Sequence, residues 1–170
     1  MPFVKDGKIQ NDPFVRLDDD APIPAQGAIL IPAARLLADP DALLRRDAPV
    51  GVVLPNTQDV EAIVPYLNRL AAVALVFPIF RDGRAYSQAR LLRERYGYRG
   101  ELRATGQVLR DQFPFMLRAG FNAFEVKKPA DAQAFEATTE HYTVFYQPAG
   151  DAHLPAFRLR AAKLAQARSH

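Results

Sequence analysis

Four short strand-like runs recur through the middle of this chain, and a stretch with helical spacing follows each. They lie at residues 50–54, 73–80, 101–105 and 123–126. The first two are short and apolar enough to suit strands covered on both faces. Helices separate them at 59–70, 86–96, 107–119 and 130–140, and a fifth strand is predicted at 142–146. Strand and helix alternating roughly every 20–25 residues mark βα units feeding a parallel sheet. The expected fold is therefore α/β, with a mainly parallel sheet of about five strands. A half-barrel and a flavodoxin-like sheet both fit, because periodicity does not order strands.

Local signals place the element ends. Ile63, Leu67 and Leu70 share a stripe, and Pro65 should kink or restart that helix. Gly97 before Tyr98 suits a left-handed stop, and Gly120 should end the next helix. Asp6-Gly7 between apolar flanks predicts a small hairpin. Asp18-Asp19-Asp20 with Pro22 and Pro24 predicts a linker. Residues 28–31 suit a strand or a helix start, and 40–46 a short helix beginning at Pro40. The organisation expected is a hairpin and linker arm at 1–26, an α/β domain at 27–150 and a basic helical tail at 151–170.

Composition removes several chemistries. The 170 residues include no cysteine, so thiolate metal sites, disulfides and cysteine nucleophiles are absent. No His-Glu-x-x-His pair, Walker loop, Gly-x-Gly-x-x-Gly or Gly-x-Ser-x-Gly motif occurs. No metal is expected, and no cofactor is evident, though the residues leave a flavin open. The N-terminus lacks a signal-peptide core, and no apolar run matches a bilayer span. A cytoplasmic protein without membrane contact is expected. The net charge of +3 is too small to argue for nucleic acid.

Charge distribution is more informative than its total. Residues 1–50 hold eight acids and six bases, whereas residues 81–118 hold nine arginines and four acids. Arginine forks suit oxyanions and internal salt bridges alike. Ligands in parallel α/β folds sit at strand C-terminal ends, which directs attention to two turns. The first is Arg81-Asp82-Gly83-Arg84, with Ser87 and Arg90 spaced by threes along the helix that follows. Gly83 can supply a positive φ that other residues resist, and the helix start would favour an anion. The competing reading is a tight turn capped by Ser87, with its arginines paired to Glu94 and Asp111. The second turn holds Thr105, Gly106 and Gln107, with Arg103 in the strand and Asp111 one turn on. A structural Arg103–Asp111 pair is favoured. The alternative makes Asp111 a general base and Thr105 or Gln107 a substrate contact. Asn56, Thr57, Lys127 and Lys128 end other strands.

The segment Phe77-Pro78-Ile79-Phe80-Arg81-Asp82-Gly83-Arg84-Ala85-Tyr86-Ser87-Gln88-Ala89-Arg90-Leu91-Leu92-Arg93-Glu94-Arg95-Tyr96-Gly97 resembles the hallmark of a bacterial family of unknown function. Gly100 to Ala104, Gly106, Asp111-Gln112, Met116 and Gly120-Phe121 continue the resemblance, which spans roughly 51–126. Pro114 departs from it. Family members are encoded beside sulfite reductase and are often labelled oxidoreductases involved in sulfite reduction. The resemblance implies an accessory protein of assimilatory sulfate and sulfite reduction that binds a sulfur oxyanion, the reductase or its electron donor. The alternatives are a small enzyme acting on a phosphorylated or sulfated metabolite, and a homodimeric interaction module without catalysis.

Overall fold

A computed structural model describes residues 2–79, 81–141 and Arg158. The predicted strand at 142–146 and the basic tail at 151–170, Arg158 excepted, lie outside the described residues.

Eight strands form one sheet in the order β2-β1-β8-β7-β6-β5-β4-β3. They are β1 Phe3–Lys5, β2 Lys8–Gln10, β3 Phe14–Arg16, β4 Ala28–Pro32, β5 Val50–Leu54, β6 Ala72–Phe77, β7 Glu101–Gly106 and β8 Ala123–Glu125. Strands β3 to β8 run parallel in sequence order, and β1 pairs antiparallel with both β2 and β8. Strand order never reverses along β3 to β8, so the flavodoxin-like option falls and the half-barrel stands. The curl follows from chain length. Seven strand spacings of about 4.8 Å would put the edges of a flat sheet roughly 34 Å apart. Only residues 11–13 join edge strand β2 to edge strand β3, and four Cα steps reach about 14 Å. The sheet must therefore bend round until its edges nearly meet.

The two faces carry different chemistry. Ile29, Ile31, Val52, Leu54, Val73, Leu75 and Leu102 belong to the main core under the helices. The alternate positions point into the curl, where Leu30, Ala72 and Ala74 pack with Phe14 and Val53. Gly51 is required there, because a Cβ would lie 2.9 Å from both Ala72 Cβ and Leu30 Cδ1.

The predicted turns form for the expected reasons. Asp6 and Gly7 take φ of 50° and 77°, as a tight hairpin demands. Gly97 has φ 64° and lets Tyr98 N donate to Leu92 O at 2.8 Å. Gly120, at φ 103°, ends α4 (Phe113–Ala119). Helices α1 (Ala33–Ala38), α2 (Pro40–Leu44), α3 (Arg84–Arg90) and α5 (Pro129–His141) complete the set. Three segments depart from regular α-helix. Val60–Arg69 is wound as a 3-10 helix around Pro65, whose missing N–H removes an α-type bond. Leu91–Arg95 extends α3 as a π turn. Arg110–Gln112 is a 3-10 turn, and α4 starts only at Phe113-Pro114, where proline suits a first helical turn. Strand β3 and helix α1 had no sequence forecast.

Candidate functional site

Inside the curl lies a buried ionic cluster. Glu101, Arg103 and Thr105 alternate along β7, so all three face inward, and all three are buried. Arg103 is 0% exposed. Its guanidinium meets Asp12 at 2.6 Å, Glu101 at 2.7 Å and Glu125 at 3.0 Å. It also lies over the Phe3 ring at 4.3 Å and the Phe14 ring at 5.3 Å. Burial alone would lower its pKa, but the Asp12, Glu101 and Glu125 contacts outweigh that and raise it well above the ordinary value. Arg16 reaches across from β3 to Glu125 at 3.0 Å, and Lys5 sits 3.1 Å from Glu101. Thr105 Oγ1 donates to Glu125 Oε2 and accepts from Arg16 Nη2. Three acids thus face three bases, and the cluster joins β1, β3, β7, β8 and the link between β2 and β3.

The strand C-terminal ends form a separate, exposed surface. Asp82 Oδ1 accepts from the Arg84 backbone N–H at 3.2 Å, and its carboxylate takes the Arg84 guanidinium at 2.6 Å. The hydrogen bonds from Arg84 hold the Asp82 carboxyl well below the usual range, with a smaller contribution from the facing Asn56 amide. Gln88, buried on α3, donates from Nε2 to Pro55 O at 3.0 Å and Gln58 O at 2.7 Å. This stitches the β5 turn to the β6 turn and leaves Gln88 Oε1 buried with no donor among the described residues. Arg81, Gly83, Ser87 and Arg90 are exposed, and Gln107 is half-buried at the neighbouring turn.

Several expectations need correction. Gly83 has φ −82°, so the turn requires no left-handed residue, and Ser87 does not cap the helix because Gly83 occupies the N-cap position. Arg84 pairs with Asp82 rather than with Glu94 or Asp111. Arg103 does not meet Asp111. Asp111 is exposed on the 3-10 turn and lies near Tyr86, whose hydroxyl pKa is pushed up to about 12 by burial and then by the Asp111 charge. Thr105 joins Arg103, whereas Arg81, Asp82, Arg84, Ser87 and Arg90 stay on the rim. Asp12, Glu101 and Glu125 were missed as partners. The period-two pattern Glu101, Arg103, Thr105 was a usable signal for one of them. Gln88 was also missed, since a polar residue in a helix gives no sign of burial.

Residues 51–157 match the model of a bacterial protein family of unknown function, DUF934. The chain belongs to that family. The DUF934 match takes in β5 through α5, and so covers both strand-end turns and most of the inner cluster. No curated protein matches the chain. Among the described residues of this DUF934 protein, no helix is long and apolar enough to cross a membrane. No group of three or more His, Cys, Asp or Glu among them is placed to hold a metal.

Proposed function

We propose that this DUF934 protein is an accessory factor of assimilatory sulfite reduction that docks sulfite reductase or its electron donor through its strand C-terminal end. One observation carries the role. Ile79 and Leu109, on adjacent strand-end turns, are 53% and 40% exposed, and exposed Arg81, Arg84, Arg110, Lys127 and Lys128 occupy the same end. An apolar centre with a cationic surround suits contact with an acidic protein surface. The inner cluster supports a scaffold role, because its three acids and three bases already neutralise one another. The pathway rests on the resemblance of Phe77 to Gly97 to proteins encoded beside sulfite reductase.

The test is binding of the purified chain to sulfite reductase holoenzyme and, separately, to its electron donor. Micromolar binding that weakens with salt and is lost in the Ile79→Asp, Leu109→Asp double variant is expected. Absence of binding to both proteins would sink the proposal. A yellow purified protein would instead support a bound flavin and a redox role of its own.

One observation favours the second reading, a small enzyme acting on a phosphorylated or sulfated metabolite. Gln88 Oε1 is a buried acceptor at the strand ends, where a ligand hydroxyl could meet it. Thermal protection by a phosphomonoester, lost on Arg84→Ala, would favour this reading over docking.

A further inference from the structure

The opposite end of the sheet holds a cavity that the docking role does not use. Its volume is about 360 Å³, within the range of small-ligand sites. It opens beside the segments that lead into β6 and β7. Leu67, Leu70 and Tyr98 line it and are buried, and Tyr96, Asn68 and Arg99 complete its walls.

This cavity is preformed. Arg93, reaching across from the π turn, donates to Tyr98 O at 2.7 Å, Gly100 O at 2.9 Å and Gly120 O at 2.9 Å. Its guanidinium also lies 5.6 Å from the Tyr98 ring centroid. Tyr98 Oη donates to Leu70 O at 3.1 Å. Gly97 takes φ 64°, and a Cβ at Gly100 would collide with Tyr98 Oη. Residues 97, 98 and 100 are therefore fixed from behind, and Arg99 is held between two pinned neighbours with its side chain exposed. Among the described residues no hydrogen bond or ion pair holds the Arg99 guanidinium; its charge instead acts against Arg93, whose pKa burial already lowers. The Tyr96 hydroxyl is committed to Glu61 at 2.8 Å, which fixes the ring as a wall.

We propose that this cavity binds a small planar anion, an aromatic carboxylate in type, with its ring among Tyr96, Tyr98, Leu67 and Leu70 and its carboxylate on Arg99. Two pinned tyrosines and two leucines favour a flat apolar body. An unpaired arginine fork favours a carboxylate in two-point contact. Asn68 supplies a donor beside it. Preformation keeps the ordering cost of binding low.

The test is an amide NMR titration of the full chain with benzoate, acetate and benzyl alcohol. Saturable benzoate shifts at residues 68 and 96–100 are expected, with acetate and benzyl alcohol weaker by about tenfold or more. Arg99→Ala should weaken benzoate by about tenfold, and Tyr96→Phe, which keeps the ring, by less than about twofold. Arg99 is exposed, so an unchanged melting temperature separates lost binding from lost fold. Absence of saturable shifts at these amides overturns the proposal. Equal binding of acetate, or benzoate affinity untouched by Arg99→Ala, overturns it as well.

Discussion

Two arginines in one strongly basic stretch, Arg84 and Arg103, meet opposite fates. Arg84 sits on an exposed turn and pairs with a carboxylate two residues away. Arg103 is fully buried and gathers acids from β7 and β8 and from the link between β2 and β3. A local pair in water orders one turn. A buried cluster drawn from distant segments ties β1, β3, β7 and β8 together inside the curl. Arginine density therefore does not by itself mark a ligand site; what matters is which face of which element carries the residue.

The largest effect should come from breaking the buried member. Arg103→Met keeps the approximate volume but leaves Asp12, Glu101 and Glu125 facing one another without their shared cation. Removing one partner of a buried ion pair costs about 3–5 kcal/mol. Equilibrium denaturation should show a loss of that size, or no soluble folded protein. A loss below about 1 kcal/mol would place Arg103 energetically with Arg84 and dissolve the contrast.

Arg93 extends the comparison to a half-buried arginine that meets carbonyls instead of carboxylates. Its donors satisfy Tyr98, Gly100 and Gly120 oxygens. Arg93→Ala should cost about 1–3 kcal/mol, because the Tyr98 and Gly120 carbonyls would lose their donor. Gly120→Ala attacks the same contact from the other side. Its φ is 103°, and the added Cβ would lie 2.5 Å from Arg93 Cγ, so a loss of about 1–3 kcal/mol is expected by the same denaturation measurement.

The contrast also explains what could be read in advance. The strands β5 to β8 were visible because each is a short run bounded by turn residues and followed by helical spacing. Gly97 and Gly120 announced their helix stops because a left-handed residue leaves few options. Strand β3 was not visible: three residues, Phe14-Val15-Arg16, are too few to display a period, and their strand character comes from pairing with β4. The acids around Arg103 were hidden for a related reason. Asp12 and Glu125 are 91 and 22 residues away along the chain; Glu125 comes near only through the β7–β8 pairing, and Asp12 only once the sheet curls. Asp111 was the nearest acid in the layer expected, yet it follows β7 into the exposed 3-10 turn.

The smallest effect belongs to the rim pair, and pH gives it a signature. The Asp82 carboxyl is held below its usual value by Arg84, so its contribution is fully present above the unfolded carboxylate pKa of about 3.9. It fades as pH falls through the lower folded value. Asp82→Asn should therefore lower the melting temperature slightly at neutral pH, and the gap to the unaltered chain should close in acid. Arg84→Ala should produce the same small gap, and the double variant no more than either alone, since one pair is removed in each case. Additive losses would mean that Asp82 or Arg84 has a second partner that matters more. A gap that widens in acid would reverse the sign of the linkage and remove the Asp82–Arg84 pair as its source.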